Sequence, residues 1–262
     1  MSNLKEPASF SPIQALTLHW PEYLIEGWAL GSFMVSAALF TTVFEHPGSP
    51  LAHLIVNPAL RRTLIGIVMG ATAVALIYSP WGKRSGAHMN PAVTLAFLSL
   101  QRISPINALL YAAAQCIGGW LGVMLAWAFL GQAFAGAPIS FIVTLPGSGG
   151  AGVAFVAETV ISFAMMFVIL NVSNSAQWSR YTGWAAGVLI VIYVIFESPL
   201  SGFSMNPART LASALPAHIW NGWWIYLCGP LLGMLTAAQL FHALTPWVER
   251  RHHTAKIVPV YD

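Results

Sequence analysis

Apolar residues fall into six long blocks separated by short polar segments, at residues 24–44, 64–80, 107–130, 153–172, 183–200 and 222–244. About 20 helical residues cross a hydrocarbon core, so the pattern predicts six membrane-spanning helices. Glycines four apart recur in five of the blocks: Gly27 and Gly31, Gly66 and Gly70, Gly118 and Gly122, Gly183 and Gly187, Gly229 and Gly233. Lipid gives helices no hydrophobic reason to associate, so close approach at small residues has to supply the contact. The general abundance of glycine in membrane helices would account for one or two such pairs, not for five.

Two loops between the blocks are nearly identical. One reads Ser85-Gly86-Ala87-His88-Met89-Asn90-Pro91-Ala92-Val93-Thr94-Leu95-Ala96. The other reads Ser201-Gly202-Phe203-Ser204-Met205-Asn206-Pro207-Ala208-Arg209-Thr210-Leu211-Ala212. Nine of the twelve positions match, and 116 residues separate the copies. Each copy follows the second span of a three-span half. An odd number of spans per half gives the halves opposite orientations, the inverted-repeat plan of many transport proteins.

Within each copy, Asn is a favoured N-cap and Pro suits the first helical position. A helix therefore starts at Asn90 and at Asn206, and runs to Leu100 and Leu215. About ten residues span ~15 Å, half of a hydrocarbon core of about 30 Å. Two re-entrant half-helices then enter from opposite faces and meet near the midplane. Irregular backbone at that depth survives only where protein buries it or where it lines a wet cavity. The expected fold is an all-α membrane protein of six transmembrane helices plus two half-helices. Its channel domain covers residues 22–245, with repeats at 22–131 and 152–245, between polar tails 1–21 and 246–262.

Composition agrees: 7% of residues are charged and 57% apolar, where soluble domains carry about a quarter charged. Residues 1–21 lack a basic start followed by an apolar core, so no cleaved signal peptide is expected. Cys116 and Cys228 lie in apolar blocks and read as buried free cysteines. Charge placement gives orientation. With the N-terminus inside, the cytoplasmic side holds Lys5, Lys83, Arg84, Arg102, Arg180, Arg250, Arg251 and Lys256, against Arg61, Arg62 and Arg209 opposite. That excess puts both termini in the cytoplasm.

The paired Asn-Pro-Ala boxes, with Arg209 after the second and Ser85-Gly86-Ala87-His88 before the first, resemble the major intrinsic protein family of aquaporins and glycerol facilitators. The likeness extends to Glu26, Gln115, Glu158 and Gly229-Pro230 and covers Tyr23 to Leu244. It implies the aquaporin fold, one pore per chain and a homotetramer in the lipid bilayer. It also implies passive passage of water or a small uncharged solute, with no cofactor, metal or nucleic-acid partner. The chain looks like a bacterial member, expected in the inner cell membrane. The residues offer no metal-ligand cluster, nucleophile–base pair or phosphate loop for an enzyme.

The copies differ at Ala87 against Phe203, His88 against Ser204 and Val93 against Arg209, where the two ends of a pore can differ. Asn90 and Asn206 use their side-chain oxygens as caps, leaving the NH₂ groups as donors to a passing oxygen. Two positive helix ends repel cations there, as in aquaporin-type selectivity generally. By resemblance, Arg209 belongs to an aromatic/arginine constriction with Phe203 and Val194. Its second-span member is Gly70, or Met69 if the segment 79–84 holds a one-residue insertion. Val194 stands where strict water channels of the family usually have His. Phe203 is similar to glycerol facilitators, Thr210 and Ala214 to the water-selective branch, and Tyr226-Leu227 to a mixture. The filter is expected to be wider and less hydrophilic than a strict water filter.

Glu26 and Glu158 occupy equivalent places and are expected to brace the re-entrant loops, with a proton relay as the sharper alternative. His88 reads as a pore-wall residue, with a pH gate as its alternative. Glu197 reads as interfacial, with partnership to Arg209 as its alternative, and His252-His253 as a solvated tail. Within channels, the alternative function is a glycerol, urea, ammonia or peroxide facilitator. From another class, a proton-coupled secondary transporter has only Glu26, Glu158 and Arg209 to work with.

Overall fold

A side-chain acceptor followed by proline opens five of the described helices, at Asn57-Pro58, Ser79-Pro80, Asn90-Pro91, Ser104-Pro105 and Asn206-Pro207. The acceptor oxygen takes a first-turn amide, and proline lacks the N–H that would otherwise go unpaired there. The computed structural model describes residues 12–245. Lys5 and the 246–262 tail, with Arg250, Arg251, His252-His253 and Lys256, lie outside the described residues.

The principal helices are α1 (Pro12–Glu45), α2 (Pro58–Tyr78), α3 (Pro91–Ser99), α4 (Pro105–Leu130), α5 (Gly150–Ser173), α6 (Thr182–Phe196), α7 (Pro207–Ala217) and α8 (Trp223–Leu244). All but α3 and α7 are long and apolar enough to cross a membrane, α6 with the preceding turn at Ser179–Tyr181 included. The two exceptions have 9 and 11 residues and are the half-helices.

Three boundaries differ most from the sequence pattern. Helix α1 begins at Pro12 and passes through Pro21, inside what the pattern treats as tail. Proline removes one backbone bond there, but Tyr23 Oη donates to Asn107 Oδ1 at 2.8 Å and lies 3.2 Å from the Ala15 carbonyl oxygen, tying the extension to α4. Helix α2 starts six residues before the apolar block, so Arg61 and Arg62 sit in its first turns and Arg61 pairs with Glu45 at 3.0 Å. Helix α6 stops at Phe196, and a separate turn at Ser198–Ser201 follows.

Helices pair as α1 with α4, α5 with α8, and α2 with α6. Backbones touch at the glycines: a Cβ on Gly118 would lie 2.1 Å from the Gly27 carbonyl oxygen, and one on Gly70 2.6 Å from that of Gly187. Half-helix α3 lies on α8 as well as on α4, and α7 on α4 as well as on α8. The two halves are therefore interlocked. Exposed large apolar residues, such as Phe129 at 82%, cover the outside. Cys228 is among the exposed residues, a correction to its expected burial, whereas Cys116 is half-buried. The α8 face that is buried carries Tyr226, Gly229 and Gly233, and Cys228 lies off it.

Candidate functional site: the pore

Each re-entrant loop hangs from one buried carboxylate. Glu26 accepts from Ser85 Oγ, the His88 amide and the Met89 amide at 2.7–2.9 Å. Glu158 accepts from Ser201 Oγ, the Ser204 amide and the Met205 amide, each at 2.7 Å. The first half adds Gln115, whose Nε2 donates to Glu26 Oε2 at 2.7 Å. These bonds hold a costly backbone. Gly86, Ala87 and Met89, and their counterparts Gly202, Phe203 and Met205, all have φ between +48° and +86°. A non-glycine residue gives up about 1–2 kcal/mol in that region, and the carboxylates offset it.

Two anchors escape the sequence reading. Tyr111 Oη donates to the Ser85 carbonyl at 2.9 Å and Tyr226 Oη to that of Ser201 at 2.5 Å. Their nearly equal spacing to the repeat was the available signal, since 115 residues separate them.

The half-helices meet tip to tip. Asn90 Oδ1 caps the Ala92 amide, and Asn206 Oδ1 caps the amides of Ala208 and Arg209. Asn90 Nδ2 donates to the Met205 carbonyl and Asn206 Nδ2 to the Met89 carbonyl, both at 2.7 Å. This corrects the expectation that both NH₂ groups are wholly free. Each amide nitrogen carries two hydrogens, and one of them crosslinks the loops.

A cavity of about 650 Å³ runs past this junction and is lined by both asparagines. On α2 its wall is Arg62, Ile65, Met69, Ala73 and Ile77, a spacing that keeps one helix face toward the lumen. Met69 thus lines the cavity, while Gly70 turns toward Gly187 on α6 and is not a lining residue. Val194, Phe203 and Arg209 line the same cavity.

His88 lines it as well. Its ring stacks on Phe97 with centroids 4.8 Å apart, and Nδ1 lies 3.1 Å from Thr94 Oγ1. Glu26 and Glu158 do not line it; both are fully buried behind the loops. For Glu197 the partnership with Arg209 is corrected. It is only 6% exposed, and it forms no ion pair with Arg209.

Six membrane-length helices around a lined cavity, with two half-helices joined inside it, define an integral membrane channel. The family profile described as major intrinsic protein matches residues 28–241. Aquaporin NIP2-2 of Zea mays is 34% identical over 238 residues, spanning 90% of this chain and 76% of that one. Aquaporin NIP2-3 of Zea mays is 36% identical over 215 residues, spanning 81% and 69%. Among solved structures, the aquaglyceroporin from Plasmodium falciparum shares the fold, with a TM-score of 0.70 at 19% identity, covering 86% of this chain and 96% of that one. The chain belongs to the major intrinsic protein family. It is a multi-pass membrane channel that passes water and small solutes passively, and it is not an enzyme.

Proposed function

We propose that the pore carries water together with at least one larger neutral solute of the glycerol, urea, ammonia or peroxide kind, and rejects ions at two levels. The observation that carries this reading is the reciprocal asparagine crosslink, which holds the N-termini of α3 and α7 together on the cavity wall. Each helix end acts as roughly half a positive charge. A cation entering that stretch gives up its hydration and meets two like-signed ends, whereas a neutral molecule is only oriented. The remaining N–H of each asparagine donates to its oxygen.

Arg209 supplies the second level. With Met69, Val194 and Phe203 on the same wall, it forms the size filter. Val194 is short and apolar, so one side of that filter has no hydrogen-bonding group. Met69 fills part of the space with a flexible chain, which leaves the opening apolar and adaptable. Glu26 and Glu158 act as scaffold and not as a proton relay: their oxygens are engaged by loop donors, and neither reaches the lumen.

Both termini face the cytoplasm, which makes the Arg209 mouth the outer one, and four copies assemble in the bilayer. Stopped-flow light scattering of proteoliposomes tests the transport reading. Water, glycerol and urea fluxes should exceed the protein-free background for water and for one larger solute. Water flux alone would refute the wide filter, and proton-dependent, saturating uptake would replace the channel mechanism.

A further inference from the structure

Three arginines bear on the mouth of the cavity on the Arg209 side, and only one is neutralised. Arg61 donates Nε and Nη2 to Glu45 Oε2 at 3.2 and 3.0 Å, and Nη1 to the Ile55 carbonyl at 2.9 Å. Arg62, the next residue, lines the cavity instead. Seven residues of helical rise place it about 10 Å farther along α2 than Met69, toward the mouth. Arg62 forms no ion pair among the described residues, and its Nε is buried without a hydrogen-bond partner. Arg209 lines the same cavity, and its Nη1 is also buried and unpartnered. Glu158 acts on Arg209 through space, yet its oxygens are taken by the loop. Glu45 also lines the mouth but is matched by Arg61.

A buried N–H without an acceptor is costly, and Arg62 and Arg209 each hold one such nitrogen at the cavity wall. No carboxylate pairs with Arg62 among the described residues, so its positive charge at the cavity wall is open to a mobile counter-ion. A guanidinium presents its N–H groups as a planar fork that matches two oxygens of one anion. We propose that this mouth is a binding site for a small oxyanion, with Arg62 as its principal cation and Arg209 as the deeper one, and that the bound anion obstructs the pore. Thr41 lines the same stretch from α1 and offers a hydroxyl.

Inorganic phosphate is the probe. It is titrated by calorimetry into the purified full chain in detergent, against chloride at equal ionic strength. Water flux of proteoliposomes is then measured in both anions. The wild type should bind phosphate saturably and pass water more slowly in phosphate than in chloride. Arg62→Gln should weaken binding about tenfold or more, equivalent to about 1.4 kcal/mol. Glu45→Gln, which removes the competing negative charge, should tighten it. Arg180→Gln, at an exposed arginine off the cavity wall, should bind as wild type does.

Absence of saturable heat in the wild type overturns the site, as does equal affinity in Arg62→Gln. If Arg62→Gln does not assemble, an unchanged affinity in Glu45→Gln overturns it equally. Binding with no effect on water flux overturns the obstruction. The flux arm rests on the proposed channel function, but calorimetry does not, so the two readings fail separately.

Discussion

Replacing Glu158 with alanine removes one acceptor group from three donors, Ser201 Oγ and the amides of Ser204 and Met205, each at 2.7 Å. A buried donor left without its partner costs about 1–3 kcal/mol, so the two amides alone bring about 2–6 kcal/mol. Polar contacts between membrane helices average less, about 0.6 kcal/mol, because separated helices find other partners. That discount does not apply here. The amides belong to non-helical backbone held by the left-handed φ values of Phe203 and Met205, outside any helical ladder that could take them up. Against a total stability of about 5–15 kcal/mol, Glu158→Ala should therefore lower the thermal midpoint sharply and cut the assembled fraction.

Glu158→Gln keeps one acceptor oxygen and should sit between the alanine variant and the wild type. Glu26→Ala should cost at least as much as Glu158→Ala, because Gln115 is a fourth donor to that carboxylate. Fluorescence-detected size-exclusion after graded heating reads all of these. A Glu158→Ala chain with the wild-type midpoint would refute the bracing argument. One that assembled normally but lost proton-coupled uptake would replace it with a relay.

Val194→His should narrow the filter and reduce glycerol or urea flux more than water flux in stopped-flow assays; unchanged ratios would show that Val194 does not set the opening. Arg209→Val should relax discrimination among small solutes, read as a rise in the larger-solute to water flux ratio. Asn206→Ala removes a cap worth about 0.5–2 kcal/mol along with the crosslink to Met89, so both thermal midpoint and cation exclusion should fall. Gly118→Val should fail to assemble, since even a Cβ there lies 2.1 Å from the Gly27 carbonyl oxygen.

The fold was legible because two independent signals coincide in the sequence. Apolar blocks of membrane length give the spans, and the repeated Asn-Pro-Ala segment gives the half-helices and their inversion. What the pattern missed depends on contact between distant segments. The α1 extension looks polar and carries Pro21, yet Tyr23 and Asn107 hold it in place. Met69 and Gly70 are neighbours in the sequence, and only the packing of Gly70 against Gly187 shows that Met69 is the one turned to the cavity. The asparagine crosslink is invisible in either loop alone, because each donor finds its acceptor only when the other half is present. Arg61 and Arg62 look alike in the sequence, and only the folded chain shows that Glu45 captures Arg61.

Interlocking of the halves governs what motion remains. A carrier that exposes its site to one side at a time swings one repeat against the other. Here such a swing would pull α3 from α8 and α7 from α4, and would break both asparagine–carbonyl links at the centre. Separation is thus opposed at the core and along both flanks at once. The two repeats stay together while solutes pass, so no step in transport waits on one swinging against the other. Flow can then reverse as soon as the gradient does, and its rate is set by friction at the wall.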